Sequence, residues 1–99
     1  AGKNVVVQGA AVRACTAVFA TAGDEVPGVV FGDSVDGEFV PRAPRFALSF
    51  AARADGSLDG QEVARFAFSK NDAPSPALVD ARCVDAAGAA VAAGLTVVE

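Results

Sequence analysis

Two segments of this 99-residue chain place a large apolar residue at every second position, and this alternation constrains the fold most. The segments run from 45 to 53 and from 63 to 69, and their large residues are Phe46, Leu48, Phe50, Phe66 and Phe68. Because a β-strand turns successive side chains to opposite faces, each segment is predicted to be a strand with one aromatic face directed at the core. The turn-forming residues 55–60 between them predict that the two strands pair as an antiparallel hairpin with a long loop.

Shorter β-branched or alternating stretches predict further strands. These stretches are 5–7, 11–20, 29–31, 38–40 and 90–98. In the last of them, Val91, Leu95 and Val97 are predicted to face inward. Residues 21–25 and the pair Asp36-Gly37 are predicted to form turns, because they are rich in residues that tolerate turn geometry.

The segment from 76 to 88 is compatible with a strand or a helix. A helix would spread the three charged residues of this segment around its surface and leave no apolar stripe. A strand would instead place Val79, Ala81 and Cys83 together on one face, with charges on the other. We therefore favour a strand here, followed by a turn at 85–88.

About seven short strands, separated by turn residues at intervals of roughly ten residues, predict an all-β fold. We expect one small antiparallel β-sandwich that spans residues 1–99, with an immunoglobulin-like topology left open and a small β-barrel as the second choice. A single domain is expected because a chain of this length supports one hydrophobic core.

Cys15 and Cys83 are the only cysteines, and each falls in a predicted strand among apolar neighbours. Both are therefore predicted to point into the core and to form a disulfide that joins an early strand to a late one. Buried reduced thiols at the same positions are the alternative. Because disulfides persist in oxidising compartments, we expect the chain to be secreted, periplasmic or exposed at a cell surface.

Charge and composition exclude several classes of function. The net charge is −4 and the basic residues are scattered, which argues against a nucleic acid as the main partner. Every apolar run is shorter than the ~18 residues that a transmembrane helix needs. The chain also lacks histidine, the commonest general base, so we expect no enzymatic activity, assign no catalytic residue and expect no cofactor.

Acidic residues in predicted loops are the candidates for a metal site. They are Asp24, Glu25, Asp33, Asp36, Glu38, Asp55 and Asp59. Calcium prefers oxygen ligands of this type, but their spacing does not match that of an EF-hand loop. Since Asp-Gly turns account for the same residues, we assign no metal ligand.

The segment from 41 to 45 combines two prolines with Arg42 and Arg45. Proline cannot donate to a strand ladder, so this segment is predicted to be an exposed extended connector and not a central strand. Arg42 and Arg45 are therefore the candidate partner-binding residues. The alternative is a plain crossover connection between the sheets.

Three short stretches resemble chaperone–usher pilus subunits, a family of alanine- and valine-rich sandwiches with one disulfide. The stretches are Gly9-x-x-Val12-x-x-Cys15, Phe31-Gly32-Asp33 and Asp85-x-x-Gly88-x-x-Val91. The second cysteine of that family usually lies near mid-chain, where this sequence has Ala51-Ala52. The resemblance implies an assembly subunit as one function to consider, and it does not identify the chain as a member.

The sequence thus predicts a non-enzymatic module that acts through protein–protein contacts, in a structural, adhesive or inhibitory role. The first alternative is a subunit of a repeating surface assembly such as a pilus or capsid, because so small a domain cannot bury all of its apolar surface. The second alternative is a small calcium- or carbohydrate-binding domain. The expected partners are another protein or further copies of this chain.

Overall fold

The computed structural model describes residues 2–23, 25–54, 56–70 and 72–98. Within these ranges the chain forms antiparallel strands in two packed sheets and no helix. The strands are β1 (Gly2–Gln8), β2 (Ala14–Ala20), β3 (Gly28–Phe31), β4 (Val35–Arg42), β5 (Arg45–Ala52), β6 (Glu62–Ala67), β7 (Ala77–Val84), β8 (Ala90–Val91) and β9 (Gly94–Val98).

The four-stranded sheet has the order β3-β6-β1-β9, and the five-stranded sheet has the order β4-β5-β2-β7-β8. The predicted all-β sandwich is therefore confirmed, with nine strands in the described residues instead of about seven. One additional strand arises because the predicted segment 90–98 divides into β8 and β9, which belong to different sheets.

The predicted hairpin between residues 45–53 and 63–69 is wrong. The first segment is β5 of the five-stranded sheet and the second is β6 of the four-stranded sheet, so their aromatic sides face each other across the sandwich. The connection between them crosses from sheet to sheet and contains Leu58, which is buried. The alternation of apolar residues shows that a side chain faces the core, but it does not show to which sheet its strand belongs.

Three phenylalanines form the centre of the core. The rings of Phe19 and Phe46 stack with their centroids 5.5 Å apart. Each of these rings also makes an edge-to-face contact with the ring of Phe66, with centroids 5.2 Å apart. Edge-to-face contacts of this kind are favourable beyond the area that they bury. Because Phe66 belongs to the opposite sheet, these contacts hold the two layers together.

The segment from 77 to 84 is the predicted strand, and the turn that follows it is confirmed by a hydrogen bond from the Gly88 N–H to the Asp85 carbonyl at 3.0 Å. One part of the prediction is wrong. The register with β2 shifts beside Phe19, and Val79 remains 45% exposed instead of lining the core with Ala81 and Cys83. A β-bulge turns a side chain away from its alternating position, and the sequence gives no sign of it.

Two further predictions of element boundaries need correction. The closing strand divides into β8 and β9, which lie in different sheets; of its three residues predicted to face inward, Leu95 is buried while Val91 and Val97 are half-buried. The pair Asp36-Gly37 lies inside β4 and not in a turn.

Gly37 explains why β4 can continue through a turn-forming pair. A Cβ atom at this position would overlap the ring of Phe31 from β3. Since β3 and β4 lie at the same margin of the sandwich in different sheets, the ring of Phe31 closes this margin over a residue without a side chain. The glycine is required here by close approach and not by a turn.

Cys15 and Cys83 form the predicted disulfide, and the two residues are only 4–5% exposed. They are direct partners on the neighbouring strands β2 and β7, with Cα atoms 4.1 Å apart. In an immunoglobulin domain the corresponding bond links the two sheets, whereas here it joins two strands of one sheet. The bond is compatible with an extracellular location.

Candidate protein-contact surface

Arg42 and Arg45 lie on either side of a two-residue turn, Ala43-Pro44, that connects β4 to β5. The segment is exposed as predicted, but the predicted extended connector and its alternative, a crossover between the sheets, are both wrong, because the segment closes a hairpin within one sheet. The prediction that Pro41 avoids a central strand is correct, since β4 is an edge strand.

The structure brings the two candidate arginines together. Arg42 and Arg45 are paired residues at the last rung of the hairpin, both are exposed, and neither forms an ion pair with a described residue. Like charges placed directly opposite each other weaken a strand pair. The two positive charges of this residue pair therefore lower the stability of the hairpin and are available to bind a partner.

Thr21 holds this turn in place. Its backbone N–H donates to the Pro44 carbonyl at 2.8 Å, and its hydroxyl lies 3.0 Å from the same oxygen and 2.8 Å from the Gly23 carbonyl. The arginine pair is therefore presented on an anchored turn, which lowers the entropy lost when a partner binds.

The two arginines belong to a larger surface, the outer face of the five-stranded sheet, which we call the five-strand face. It comprises the outward-facing residues of four strands: Asp36, Glu38, Val40 and Arg42 of β4; Arg45, Ala47, Ser49 and Ala51 of β5; Ala14, Thr16, Val18 and Ala20 of β2; and Asp80, Arg82 and Val84 of β7. Apart from Arg45 at its end, the central strands β5 and β2 contribute only small uncharged side chains. The charges lie on the marginal strands β4 and β7.

One rung of this face is polar from margin to margin. Glu38, Ser49, Thr16 and Arg82 are aligned partners on β4, β5, β2 and β7. The two central hydroxyl oxygens lie 3.3 Å apart, and all four residues are exposed. With about 4.8 Å between neighbouring strands, the backbones of Glu38 and Arg82 are about 14 Å apart. Small side chains between them leave a shallow depression of about 710 Å³.

These residues, other than Arg42 and Arg45, were not predicted as a site. The alternation of each strand shows that they face outward, but the strand order that aligns them does not follow from the sequence. The signal that could have found them is the absence of any long side chain from positions 47, 49 and 51 of β5 and 14, 16, 18 and 20 of β2.

The backbone edge of β7 is a second exposed feature. Within the described residues, β8 pairs only with Cys83 and Val84, so that Ala77–Arg82 has a neighbour on one side alone. The short Cα separation between Cys15 and Cys83 indicates that they form a non-hydrogen-bonded pair, so the backbone N–H and carbonyl of Cys83 point away from β2. Because backbone groups alternate in direction along a strand, the N–H and carbonyl of Ala81 also point away from β2, towards the side of β7 that has no neighbouring strand. Leu78 and Val79 beside it are 39% and 45% exposed.

Three of the seven acidic residues considered for calcium have structural roles, while Asp33 and Glu38 are exposed. Asp24 and Asp55 lie outside the described residues. Asp36, Glu25 and Asp59 accept hydrogen bonds at 2.8–2.9 Å from, respectively, Arg53, Ser69 and Gly9. In the described ranges no three carboxylate, histidine or cysteine side chains are grouped to hold a metal ion.

A cleft of about 640 Å³ lies between the loop that contains Glu25 and the loop around Ser69 and Lys70. The Glu25 carboxylate in this cleft already accepts the N–H and the hydroxyl of Ser69, both at 2.9 Å. These bonds join the two loops, which gives the carboxylate a structural role.

Residues 2–23, 25–54, 56–70 and 72–98 contain no helix that is long and apolar enough to cross a membrane. Comparison of the chain with family models, curated proteins and solved structures gives no significant match.

Proposed function

We propose that this protein is a non-enzymatic, secreted or surface-exposed β-sandwich module that acts by binding a protein through its five-strand face. The observation that carries the proposal is the distribution of charge on that face, which has an uncharged centre and a charged margin. Protein interfaces have the same anatomy, because charged side chains are depleted from the centre of an interface and retained at its rim.

The arginine rung supports the same proposal. Arg42 and Arg45 stand at one end of the five-strand face, on an anchored turn and without an ion pair among the described residues. Arginine is enriched at protein interfaces, where its planar guanidinium can bind a carboxylate through two hydrogen bonds. The proposed partner therefore presents acidic groups to this end of the face.

The disulfide supports the proposed location. A bond that closes a chain segment of 68 residues stabilises the fold by about 4 kcal/mol in the loop-entropy model. This contribution is available in a secreted, periplasmic or cell-surface setting and is lost in a reducing cytosol.

The experiment that tests the proposal compares two double variants as bait for partners in extracellular fluid or cell extract. We expect Arg42→Ala/Arg45→Ala to lose partners that the unmodified protein retains. The matched control, Arg65→Ala/Lys70→Ala, removes the same net charge away from the five-strand face and should retain them. Equal retention by both variants would contradict the proposal for this face.

A repeating assembly is the second candidate, and the open edge of β7 favours it. An unpaired strand edge with exposed apolar residues is able to accept a strand from another chain. We expect Val79→Lys to reduce light scattering of concentrated protein if this edge mediates assembly, since lysine on an edge discourages strand addition. Unchanged scattering would remove this edge from consideration.

The calcium- or carbohydrate-binding alternative has less support. None of the seven phenylalanines lies on the five-strand face, so this surface offers no aromatic platform for a sugar ring. A calorimetric titration with calcium that releases or absorbs heat would revive the metal-binding alternative.

A further inference from the structure

The two ends of β4 carry opposite charges on the five-strand face. At the end next to the turn, Arg42 lies beside Arg45 of β5, and both side chains are exposed. At the other end, Asp36 and Glu38 are exposed in the same outward-facing row of β4. The chain itself therefore presents the acidic groups that we propose for the partner of the arginine end.

β7, at the opposite margin of the face, also carries two charges of opposite sign. Asp80 and Arg82 are paired with Val18 and Thr16 of β2 and face outward with them. The contact between the two charged groups is 3.4 Å long, at a site where the Arg82 side chain is 86% exposed. Exposed pairs of this type contribute little to stability, so both charges are available to a partner.

A two-fold axis perpendicular to the strands makes this charge pattern self-complementary. Consider such an axis in the plane above the face, midway between the rung of Ala47 and the rung of Ser49. Rotation about this axis lays each strand over the same strand of a second copy, with its direction reversed. The arginine end of each copy then covers the acidic end of the other.

The register of the sheet identifies the charges that face each other. Arg42 of each copy faces Asp36 of the other, and Asp80 of each copy faces Arg82 of the other. Each contact occurs twice because of the two-fold symmetry. Two copies therefore bring four pairs of opposite charge together, at both margins of the face.

We infer that the five-strand face binds a second copy of this chain in a symmetric dimer, in which the arginine end of each copy contacts the acidic end of the other. The inference rests on the proposed function and names the acidic partner of the same face. Symmetric pairing is the commonest form of self-association, because one patch then satisfies both subunits.

The acidic end is able to accept the arginines of a second copy. The Nε of Arg53 donates to Oδ1 of Asp36 at 2.8 Å, and Oδ2 has no hydrogen bond to a described residue. Because a carboxylate accepts several hydrogen bonds, Asp36 can bind Arg42 of the second copy without releasing Arg53. Glu38 has no ion pair among the described residues, and it lies diagonally opposite the same Arg42, within reach of a long side chain.

An axis parallel to the strands fits the charges less well. It would preserve the height of every residue along the strands, so the arginine ends of both copies would lie together and the acidic ends would lie together. Like charges brought together at an interface oppose association. The perpendicular axis separates the like charges and brings the unlike charges together.

The centre of the face is compatible with close approach of two sheets. Small uncharged residues face each other there: Ala47 and Ser49, Val18 and Thr16, and Ala20 and Ala14. Sheets normally pack about 10 Å apart, and small side chains permit this separation.

The size of the face predicts a weak dimer. Four strands about 4.8 Å apart and four rungs about 7 Å apart give a footprint of roughly 500 Å² per copy. Specific, stable complexes bury about 800 Å² per partner, so the dimer should form only at high protein concentration and low salt.

Sedimentation equilibrium of the whole chain, from about 10 µM to about 1 mM at low salt, tests the inference. We expect the unmodified protein to dimerise. Arg42→Glu/Arg45→Glu should dimerise at least tenfold more weakly, because its altered end then faces the acidic end of a second copy. Asp36→Lys/Glu38→Lys should be weakened to a similar extent, since two lysines then face two arginines.

A mixture of these two variants separates the inference from a general effect of charge. A mixed pair has introduced glutamates opposite introduced lysines at one end, and unmodified arginines opposite unmodified carboxylates at the other. Mixed dimers should therefore form with an affinity within about threefold of the unmodified dimer. Circular dichroism checks that the variants, which change exposed residues, remain folded.

The matched control is Arg65→Glu/Lys70→Glu, which reverses two charges away from the five-strand face and should dimerise like the unmodified protein. A monomeric unmodified protein at about 1 mM would overturn the inference. Absence of mixed dimers, or equal weakening of the control, would also overturn it. If the protein is monomeric but still captures a partner that Arg42→Ala/Arg45→Ala loses, self-association fails while the proposed function stands.

Discussion

The two outer faces of the sandwich differ in where they carry long polar side chains. On the four-stranded sheet, the central strands β1 and β6 present Asn4, Gln8, Glu62 and Arg65 to solvent. On the five-strand face, the central strands present alanine, serine, threonine and valine, and charges are confined to the margins and one end. Apart from Lys3 of β1, the buried residues of both sheets are apolar or belong to the disulfide, so the two sheets differ mainly on their outer sides.

This difference is the basis for the proposal that a chain rich in alanine and valine contains one solvated face and one contact face. A long charged side chain in the middle of a sheet must lose water if another surface covers it, and this loss is costly. Small uncharged side chains in the middle carry no such penalty. The four-stranded sheet is therefore suited to solvent, whereas the five-strand face is suited to a partner.

The largest effect should come from the disulfide, which is present only in the five-stranded sheet. We expect Cys15→Ala/Cys83→Ala to lower the free energy of unfolding by about 4 kcal/mol, because the unfolded chain is no longer constrained. Chemical denaturation measures the loss. Because this loss is global, amides of β2 and β7 that exchange through complete unfolding should accelerate as much as those of β1 and β6, and acceleration confined to β2 and β7 would contradict the entropic account.

The next effect concerns the margin where β3 and β4 meet. Gly37→Ala should lower the free energy of unfolding by about 1–3 kcal/mol, because the added Cβ overlaps the Phe31 ring. Gly94→Ala is the matched control, since a Cβ there has no described atom within 4 Å. Thermal unfolding of both variants provides the measurement, and an equal change in midpoint would show that the ring does not close this margin.

Each of the two outer faces contains a threonine at which the same charged side chain can be introduced, so the effect of charge can be compared between the faces. Thr16→Arg puts a long charged side chain into the middle of the five-strand face and should lower at least tenfold the amount of partner that the protein captures, as measured by quantitative pull-down. Thr96→Arg makes the same change on β9 of the other sheet and should have no effect. A similar loss with both variants would mean that added charge, and not its position, controls association.

The smallest effect should come from the anchor of the arginine turn. Thr21→Val keeps the shape of the side chain but removes the hydroxyl that lies 3.0 Å from the Pro44 carbonyl. We expect a loss of about 1 kcal/mol in the free energy of unfolding, together with faster amide exchange at Arg45. Urea denaturation checks the first expectation, and unchanged exchange would show that the backbone bond alone holds the turn.

Individual residues show how far the sequence predicts this fold. The alternation around Phe46 and Phe66 correctly predicted strands and inward-facing rings, and the positions of Cys15 and Cys83 correctly predicted a buried disulfide. The sequence could not show that Phe46 and Phe66 belong to opposite sheets, because a period of two specifies a face and not a neighbour. The division of the last strand between the sheets was missed for the same reason.

The candidate site was predictable only in part. The occurrence of Arg42 and Arg45 in a proline-containing segment correctly indicated an exposed position. The segment is nevertheless a hairpin turn and not an extended connector. Glu38 and Arg82 lie 44 residues apart in the sequence, and only the strand order β4-β5-β2-β7 places them on one rung. Long-range strand order depends on packing of the whole core, which local patterns do not encode.

The most direct test of the contact face is to record amide and methyl NMR spectra of the protein before and after addition of a captured partner. We predict shifts at Ala47, Ser49, Thr16 and Arg82 when the partner is added, with Arg65 and Thr96 unchanged. Shifts at Arg65 and Thr96 instead, or no shift at any residue, would contradict the assignment of the five-strand face as the surface that binds a partner.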